Sequence, residues 1–274
     1  SWSRLDAVDL ASEIQNNALT VGEIPYFFRG SMNHAYEVAL TRIINSQQER
    51  LIDQERAWKL FVLLSHMLLS KTEFQGELGK NEFSRRYKAF IKGDFVELTE
   101  ASRVPYVRRV KSVPTVITTE DNSITRCLGF IYKKELSRAR AALVGQDLAP
   151  GSQETRDRLQ EKRPRHAEVP LSQGILDFSP QTAVKLSKYR FLNNVRKGGW
   201  GVAGGMAKSR YTHFQVILDD VEVSHLFWKV GDLFAKAKVP SPIVQALGLG
   251  NMTALQKPDG GVRGIVTGDS FRRL

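Results

Sequence analysis

The segment from about Leu51 to Leu69 constrains the fold more than any other part of the chain. Ala57, Leu60, Phe61, Leu64, Met67 and Leu68 recur at helical spacing, and so wide an apolar face is satisfied only by burial against several neighbours. Lys59, Ser65 and His66 interrupt the run, and no stretch approaches the roughly 20 consecutive apolar residues of a bilayer span. The reading is a soluble chain with a helical core and no membrane partner.

Partners for that face are visible nearby. Leu5, Val8, Leu10 and Ile14 recur at near-helical spacing, and Gly22 with Pro25 ends that segment before an aromatic turn at Tyr26-Phe27-Phe28. A second helix is expected behind Ser31, with Ala35, Val38, Ala39, Ile43 and Ile44 as its stripe. Two shorter amphipathic helices, Asn81 to Ile91 and Phe95 to Ser102, flank Gly93. Ser123 to Tyr132 and Glu135 to Leu143 then read as a helical hairpin with Gly145 as C-cap. The predicted organisation is a helical N-terminal module over residues 1–145, a charged, Pro-containing linker over 146–172, and a basic region over 173–274.

Charge divides the chain in the same direction. Residues 1–100 hold 12 Lys and Arg against 14 Asp and Glu, whereas the remainder holds 28 against 15, so the net charge of +11 is entirely C-terminal. An excess of this kind suits a phosphate-rich partner, because neutralised phosphates release counterions and drive binding without sequence-specific contacts. Between Arg103 and Val116, Pro105 and Pro114 bracket Tyr106, Arg108, Arg109 and Lys111, a linker or phosphate-facing loop. From Phe178 to Leu218 there is no Asp or Glu, and Lys185, Lys188, Arg190, Arg196, Lys197, Lys208 and Arg210 alternate with Tyr189, Phe191, Trp200, Tyr211 and Phe214. Cations that track phosphates beside rings that stack on bases suit a strand of nucleic acid. The same rings also suit a core.

Several motifs are excluded by their surroundings. Gly199, Gly201 and Gly204 spell a dinucleotide-binding pattern, but Asn193, Asn194, Arg196 and Lys197 stand where a buried strand must precede it. The near P-loop ending at Lys208-Ser209 has Val202 and Ala207 where glycines are required, so a flexible junction is expected. Asp219-Asp220 resembles a metal-binding carboxylate pair but falls between a helix ending at Leu218 and another over Val223 to Ala235, where Asp220 or Glu222 favours the second helix's dipole. The histidines lack metal-ligand spacing. Cys127 is the only cysteine and reads as a buried thiol in a reducing compartment, in the nucleus or cytoplasm; the first residues carry no secretory pattern.

The tail differs in kind. Met252 to Lys257 alternates toward a strand, Pro258-Asp259-Gly260-Gly261 is turn chemistry, and Val262 to Val266 returns, so a β-hairpin with Lys257 and Arg263 beside its tip is expected. This segment resembles the first fingers motif of reverse transcriptases from LINE-type, non-LTR retrotransposons, a Leu-x-Lys-Pro-x-Gly-Gly-x-Arg hairpin followed by an Arg-Arg-Leu-like helix, here Asp269 to Leu274. Val202 to Met206 followed by His213-Phe214 and Leu218-Asp219 looks like the family's upstream turn and helix. Arg56 to Leu60 and Leu136 to Leu143 look like its N-terminal helical extension. The chain departs from the family at Val202 and Ala203, where Gly-Pro is usual, and by about three extra residues before His213.

The resemblance implies a mainly α fold: a helical N-terminal module, then helices plus a C-terminal β-hairpin opening a fingers subdomain. It implies part of an RNA-directed DNA polymerase with RNA, DNA and the remainder of the polymerase chain as partners. Lys257 and Arg263 carry over as nucleotide-binding residues, and no residue carries over as a catalytic aspartate. The complete enzyme implies Mg2+, while no cofactor is expected in this chain. Two other readings stand beside it: a non-catalytic helical nucleic-acid-binding protein, and a helical protein-interaction scaffold built on residues 1–145.

Overall fold

The structure, a computed structural model, describes residues 2–15, 20–71, 76–103, 119–132, 136–144, 148–162, 182, 184–199, 202, 204–257 and 259–274. In chain order its helices are α1 (Leu10–Gln15), α2 (Arg29–Ser46), α3 (Leu51–Leu69), α4 (Gly76–Lys92), α5 (Phe95–Ser102), α6 (Thr119–Tyr132), α7 (Leu136–Val144) and α8 (Gln153–Lys162). They continue with α9 (Lys188–Lys197), α10 (Tyr211–Gln215), α11 (Val221–Ala235) and α12 (Ser241–Gly248). Strands β1 (Asn251–Gln256) and β2 (Val262–Thr267) pair as a small antiparallel sheet, so the protein is mainly helical with one C-terminal hairpin. Short 3-10 turns lie at Trp2–Ala7, Tyr26–Phe28, Val216–Asp219 and Phe271–Arg273.

By contact the chain forms two units. Unit 1 comprises Ser1–Arg108, Pro180–Asn251 and Thr267–Leu274, and unit 2 comprises Arg109–Ser179 and Met252–Val266. Neither unit is continuous, because the apolar faces that complete each core come from distant sequence.

Unit 1 is organised around α3, which is buried from Ala57 to Leu69 and packs on α2, α4, α5 and α12. Phe61 lies at its centre: its ring is 5.2 Å from that of Phe271 and 6.2 Å, near-parallel, from that of Phe214, with Tyr36 and Phe227 at 6.3 Å. Such pairs add about 0.5–1.5 kcal/mol each beyond the area they bury. Leu5, Val8, Leu10 and Ile14 are buried as their spacing implied. The helix junction at Asp219-Asp220 is also as expected: Asp220 accepts the N–H groups of Glu222 and Val223 at 2.7 and 3.0 Å, capping α11. Asp219 receives the guanidinium of Arg29 at 2.6–3.0 Å.

Unit 2 contains the α6–α7 helical pair, α8 and the hairpin. Residues 146–172 read as a surface connection, yet they include α8. The sequence QETRDRLQEK carries no apolar stripe, so its helicity rests on local bonds: Ser152 Oγ accepts from Thr155 N at 3.2 Å, and Arg158 meets Glu154 at 2.7 Å one turn away. Tertiary packing supplies the rest, since Leu159 approaches the hairpin at Gly264, where an added Cβ would stand 3.1 Å from it. Beside β1, Leu148 bridges to Leu255.

Candidate nucleic-acid interface

The first cluster of expected site residues falls on α9. Ser187 caps it, accepting from Arg190 N, and Phe191 and Val195, one turn apart, bury its inner face. Phe191 packs 5.1 Å from Phe227 of α11. The opposite face therefore carries Tyr189, Arg190, Arg196 and Lys197 into solvent, with Lys185 exposed just before the helix. No ion pair among the described residues engages Lys185, Arg190, Arg196 or Lys197. Lys188 turns toward α11, its Nζ 3.2 Å from His225 Nδ1.

The C-terminal end of α9 is held by a residue that sequence reasoning missed. Gln215 Nε2 reaches the carbonyls of Val195, Arg196 and Gly198 at 3.1, 3.3 and 3.0 Å. One amide thus takes up carbonyls that a helix end leaves open, and it fixes the backbone beneath the cations. Arg196 and Lys197 also face the negative end of the helix dipole.

The aromatics divide cleanly. Phe191 and Phe214 are core, whereas Tyr189 is 77 % exposed beside Arg190. Tyr211 lies under the guanidinium of Arg273, 5.4 Å from its ring centre. Trp200 lies outside the described residues, as do the loop residues Pro105, Tyr106, Arg108, Arg109, Lys111 and Pro114, the proposed cap Gly145, and Gly201, Ala203 and Pro258.

Lys208 and Arg210 sit in a different environment. Arg210 pairs with Glu23 at 2.5 Å, and Thr212 holds the second oxygen of that carboxylate at 2.8 Å, so this guanidinium is already neutralised. Lys208 has φ 56° and follows a turn at Met206-Ala207. Gly205 has φ +64°, and a Cβ there would lie 2.5 Å from the carbonyl oxygen of Gly268. The last two glycines of the run form a built close approach rather than the flexible junction expected for them, because the backbone of Lys208 and Ser209 folds back on Gly204 and that of Gly268 and Asp269 packs directly on Gly205.

Beneath this turn lies a buried polar cluster that sequence spacing did not reveal. His66 donates from Nε2 to the carbonyl of Ala207 at 2.7 Å, and His213 donates from Nε2 to that of Gly22 at 2.9 Å. His213 Nδ1 is thereby an acceptor, 3.2 Å from Arg210 N and 3.4 Å from Ser65 Oγ, which in turn receives Ser209 Oγ at 3.2 Å. Burial holds both imidazoles near pKa 4, hence neutral at pH 7. The Ser65–His213 contact superficially suggests a nucleophile and base, but both residues are buried and the imidazole nitrogens are committed to backbone groups. The cluster ties α3 to α10. Asp269 is buried close by with one carboxylate oxygen unpartnered, and burial pushes its carboxyl up to about 6.

The remaining expected residues belong to the hairpin of unit 2. Lys257 N–H bonds to Gly261 O at 2.8 Å and Gly260 N–H to Lys257 O at 3.0 Å, closing a turn in which Gly260 has φ +74°. Arg158 donates to Gly260 O at 3.0 Å and braces the tip from α8. Val262 is buried and Gly264 meets Leu159, so by strand alternation Arg263 stands on the face away from α8. Lys257 and Arg263 flank the tip as expected, Lys257 half-buried and Arg263 exposed.

No family model, curated protein or solved structure matches the chain.

Proposed function

We propose that this chain is part of an RNA-directed DNA polymerase of the LINE type, contributing contacts to nucleic acid and nucleotide phosphates rather than the bond-making step. The hairpin carries the reading. Leu255, Lys257, Gly260, Gly261 and Arg263 meet the family's pattern in order, and they form a closed turn with cations at its tip. The face of α9 that makes no ion pair among the described residues supports it, because Arg190, Arg196 and Lys197 suit phosphates and Tyr189 offers a stacking surface. The adjacent carboxylates Asp219 and Asp220 are engaged elsewhere, Asp219 binding Arg29 and Asp220 capping α11. No groups of three or more potential ligands gather among the described residues. In this reading the chain's own residues position phosphates.

Binding of single-stranded RNA or DNA measured against salt tests the α9 surface. Replacing Arg190 and Lys197 by Ala should weaken binding uniformly across sequences and reduce the log–log salt slope by roughly 0.7 for each phosphate no longer neutralised. An unchanged slope removes α9 from the interface. Translating the gene beyond the codon for Leu274 tests the polymerase assignment: an isolated aspartate followed by an aromatic-x-Asp-Asp turn supports it. A stop codon without these motifs, together with intact nucleic-acid binding, leaves the non-catalytic binding protein as the reading.

A further inference from the structure

α9 carries its cations as far as Gly198, and there a second pair of groups takes over the surface. Gly198 caps the helix, and a Cβ built on it would stand 2.4–2.7 Å from Cγ, Cβ and Cδ1 of Tyr211. The tyrosine ring therefore lies directly against the backbone that follows Arg196 and Lys197. Over that ring is the guanidinium of Arg273, 5.4 Å from its centre. Asn194 donates from Nδ2 to the carbonyl of Leu274 at 3.1 Å, which ties the C-terminal turn to the same end of α9. All these residues belong to unit 1. Arg273 is exposed, yet its head is held: Nε donates to the carbonyl of Asp269 at 3.3 Å and Nη2 to Ser270 Oγ at 3.1 Å.

We infer, on the α9 reading proposed above, that Arg273 backed by Tyr211 is a stacking subsite for one base of a single-stranded nucleic acid whose phosphates run along α9. From Arg190 to Lys197 the helix offers a track about 10 Å long, or about three phosphates at about 3.4 Å per nucleotide. A strand that continues past Lys197 meets the Tyr211–Arg273 pair. A guanidinium is planar, delocalised and weakly hydrated, so it stacks on a ring with one face and on a base with the other. Its two hydrogen bonds fix the side chain before a strand arrives, and less rotamer freedom is lost on binding. Charge favours the same occupant, because no Asp or Glu occurs between Phe178 and Leu218 and Arg272 adds a further cation to the turn. Asp269, the acid nearest to that turn in sequence, is buried.

Titration of the full chain with two single strands of about 12 nucleotides, an oligodeoxyuridylate and an abasic strand of equal length, over a range of salt tests the subsite. Arg273→Lys keeps the charge and loses the planar face. It should weaken binding of the uridylate strand about fivefold or more and leave both the salt slope and the abasic strand unchanged. Replacing Arg190 and Lys197 by Ala should weaken both strands alike, which separates the subsite from the surface it extends. On the unaltered chain, ultraviolet cross-linking to a strand carrying bromouracil should attach it to Tyr211 or to residues 271–274. An Arg273→Lys protein that binds both strands as the unaltered chain does, one that loses the two equally, or cross-links confined to other segments overturns the inference with the α9 surface intact. Failure of the unaltered chain to bind either strand at low salt overturns both.

Discussion

In unit 1 the ring of Phe61 lies among those of Tyr36, Phe214, Phe227 and Phe271, drawn from residues more than 200 positions apart. In unit 2, Ile124, Leu128, Ile131, Ile265 and Val266 face solvent although their spacing is as regular. Regular apolar spacing therefore makes an element but does not decide whether its face is covered; coverage depends on what distant sequence returns to it. Unit 1 receives α9 to α12 from the second half of the chain and becomes a core. Unit 2 receives a single hairpin and keeps open faces.

The strongest way to break this contrast is to cut unit 1. Residues 170–274 expressed alone lack α2 and α3, so Phe214, Phe227 and Phe271 are deprived of the surfaces they pack on. No cooperative thermal transition is expected, and a sharp melt would show a core independent of α3. Within the intact chain, Phe61→Ala should cost about 3–5 kcal/mol by urea denaturation. A loss below about 1 kcal/mol, the range of a surface change, would remove Phe61 from the centre of the unit.

The pH dependence comes next in size. His66 and His213 are held near pKa 4 by burial, against 6.5 unfolded, so the folded state binds fewer protons and loses stability as pH falls through 6.5 toward 4. Asp269 runs the other way. Its carboxyl is raised from 3.8 to about 6 by burial, so stability falls as pH rises through that window and its charge remains a cost at pH 7. With two groups against one, the melting temperature should drop between pH 7 and pH 4.5. Asp269→Asn keeps the acceptor that Phe271 N–H uses at 2.8 Å and should stabilise the protein at pH 7 by about 1–3 kcal/mol. A destabilised Asn variant would mean that the ionised carboxylate is needed.

Much of unit 1 is legible in the sequence because its helices are amphipathic. α3 spans the expected Leu51–Leu69, and α5 spans the expected Phe95–Ser102. The hairpin is legible from turn chemistry alone. α8 is not, because its side-chain bonds are between polar groups and its contacts with the hairpin, Leu159 on Gly264 and Arg158 on Gly260, are long-range. The C-terminal residues expected as a helix form only a 3-10 turn at Phe271–Arg273, anchored by burial of Phe271. For the candidate site, the set of cations is readable but not their states. Only folding brings Glu23 onto Arg210 or Gln215 beneath Arg196, since these partners are separated by 187 and 19 residues. The His66–His213 cluster is hidden from sequence for the same reason.

Smaller changes sharpen the contrast at the level of single residues. Asp220→Ala removes the cap of α11 in unit 1 and should cost about 1 kcal/mol, with Asp220→Asn restoring most of it. Ile265→Thr in unit 2 should cost least. Ile265 lies on β2, 45 % exposed, and Thr keeps the β-branching that suits a strand. Its removal from water is partial, so the change should stay within about 0.5 kcal/mol in a dilute denaturation experiment. A cost near 2 kcal/mol, well outside the roughly 0.5 kcal/mol of surface changes, would mean that Ile265 is covered in solution, and unit 2 would then count as a second core rather than a set of open faces.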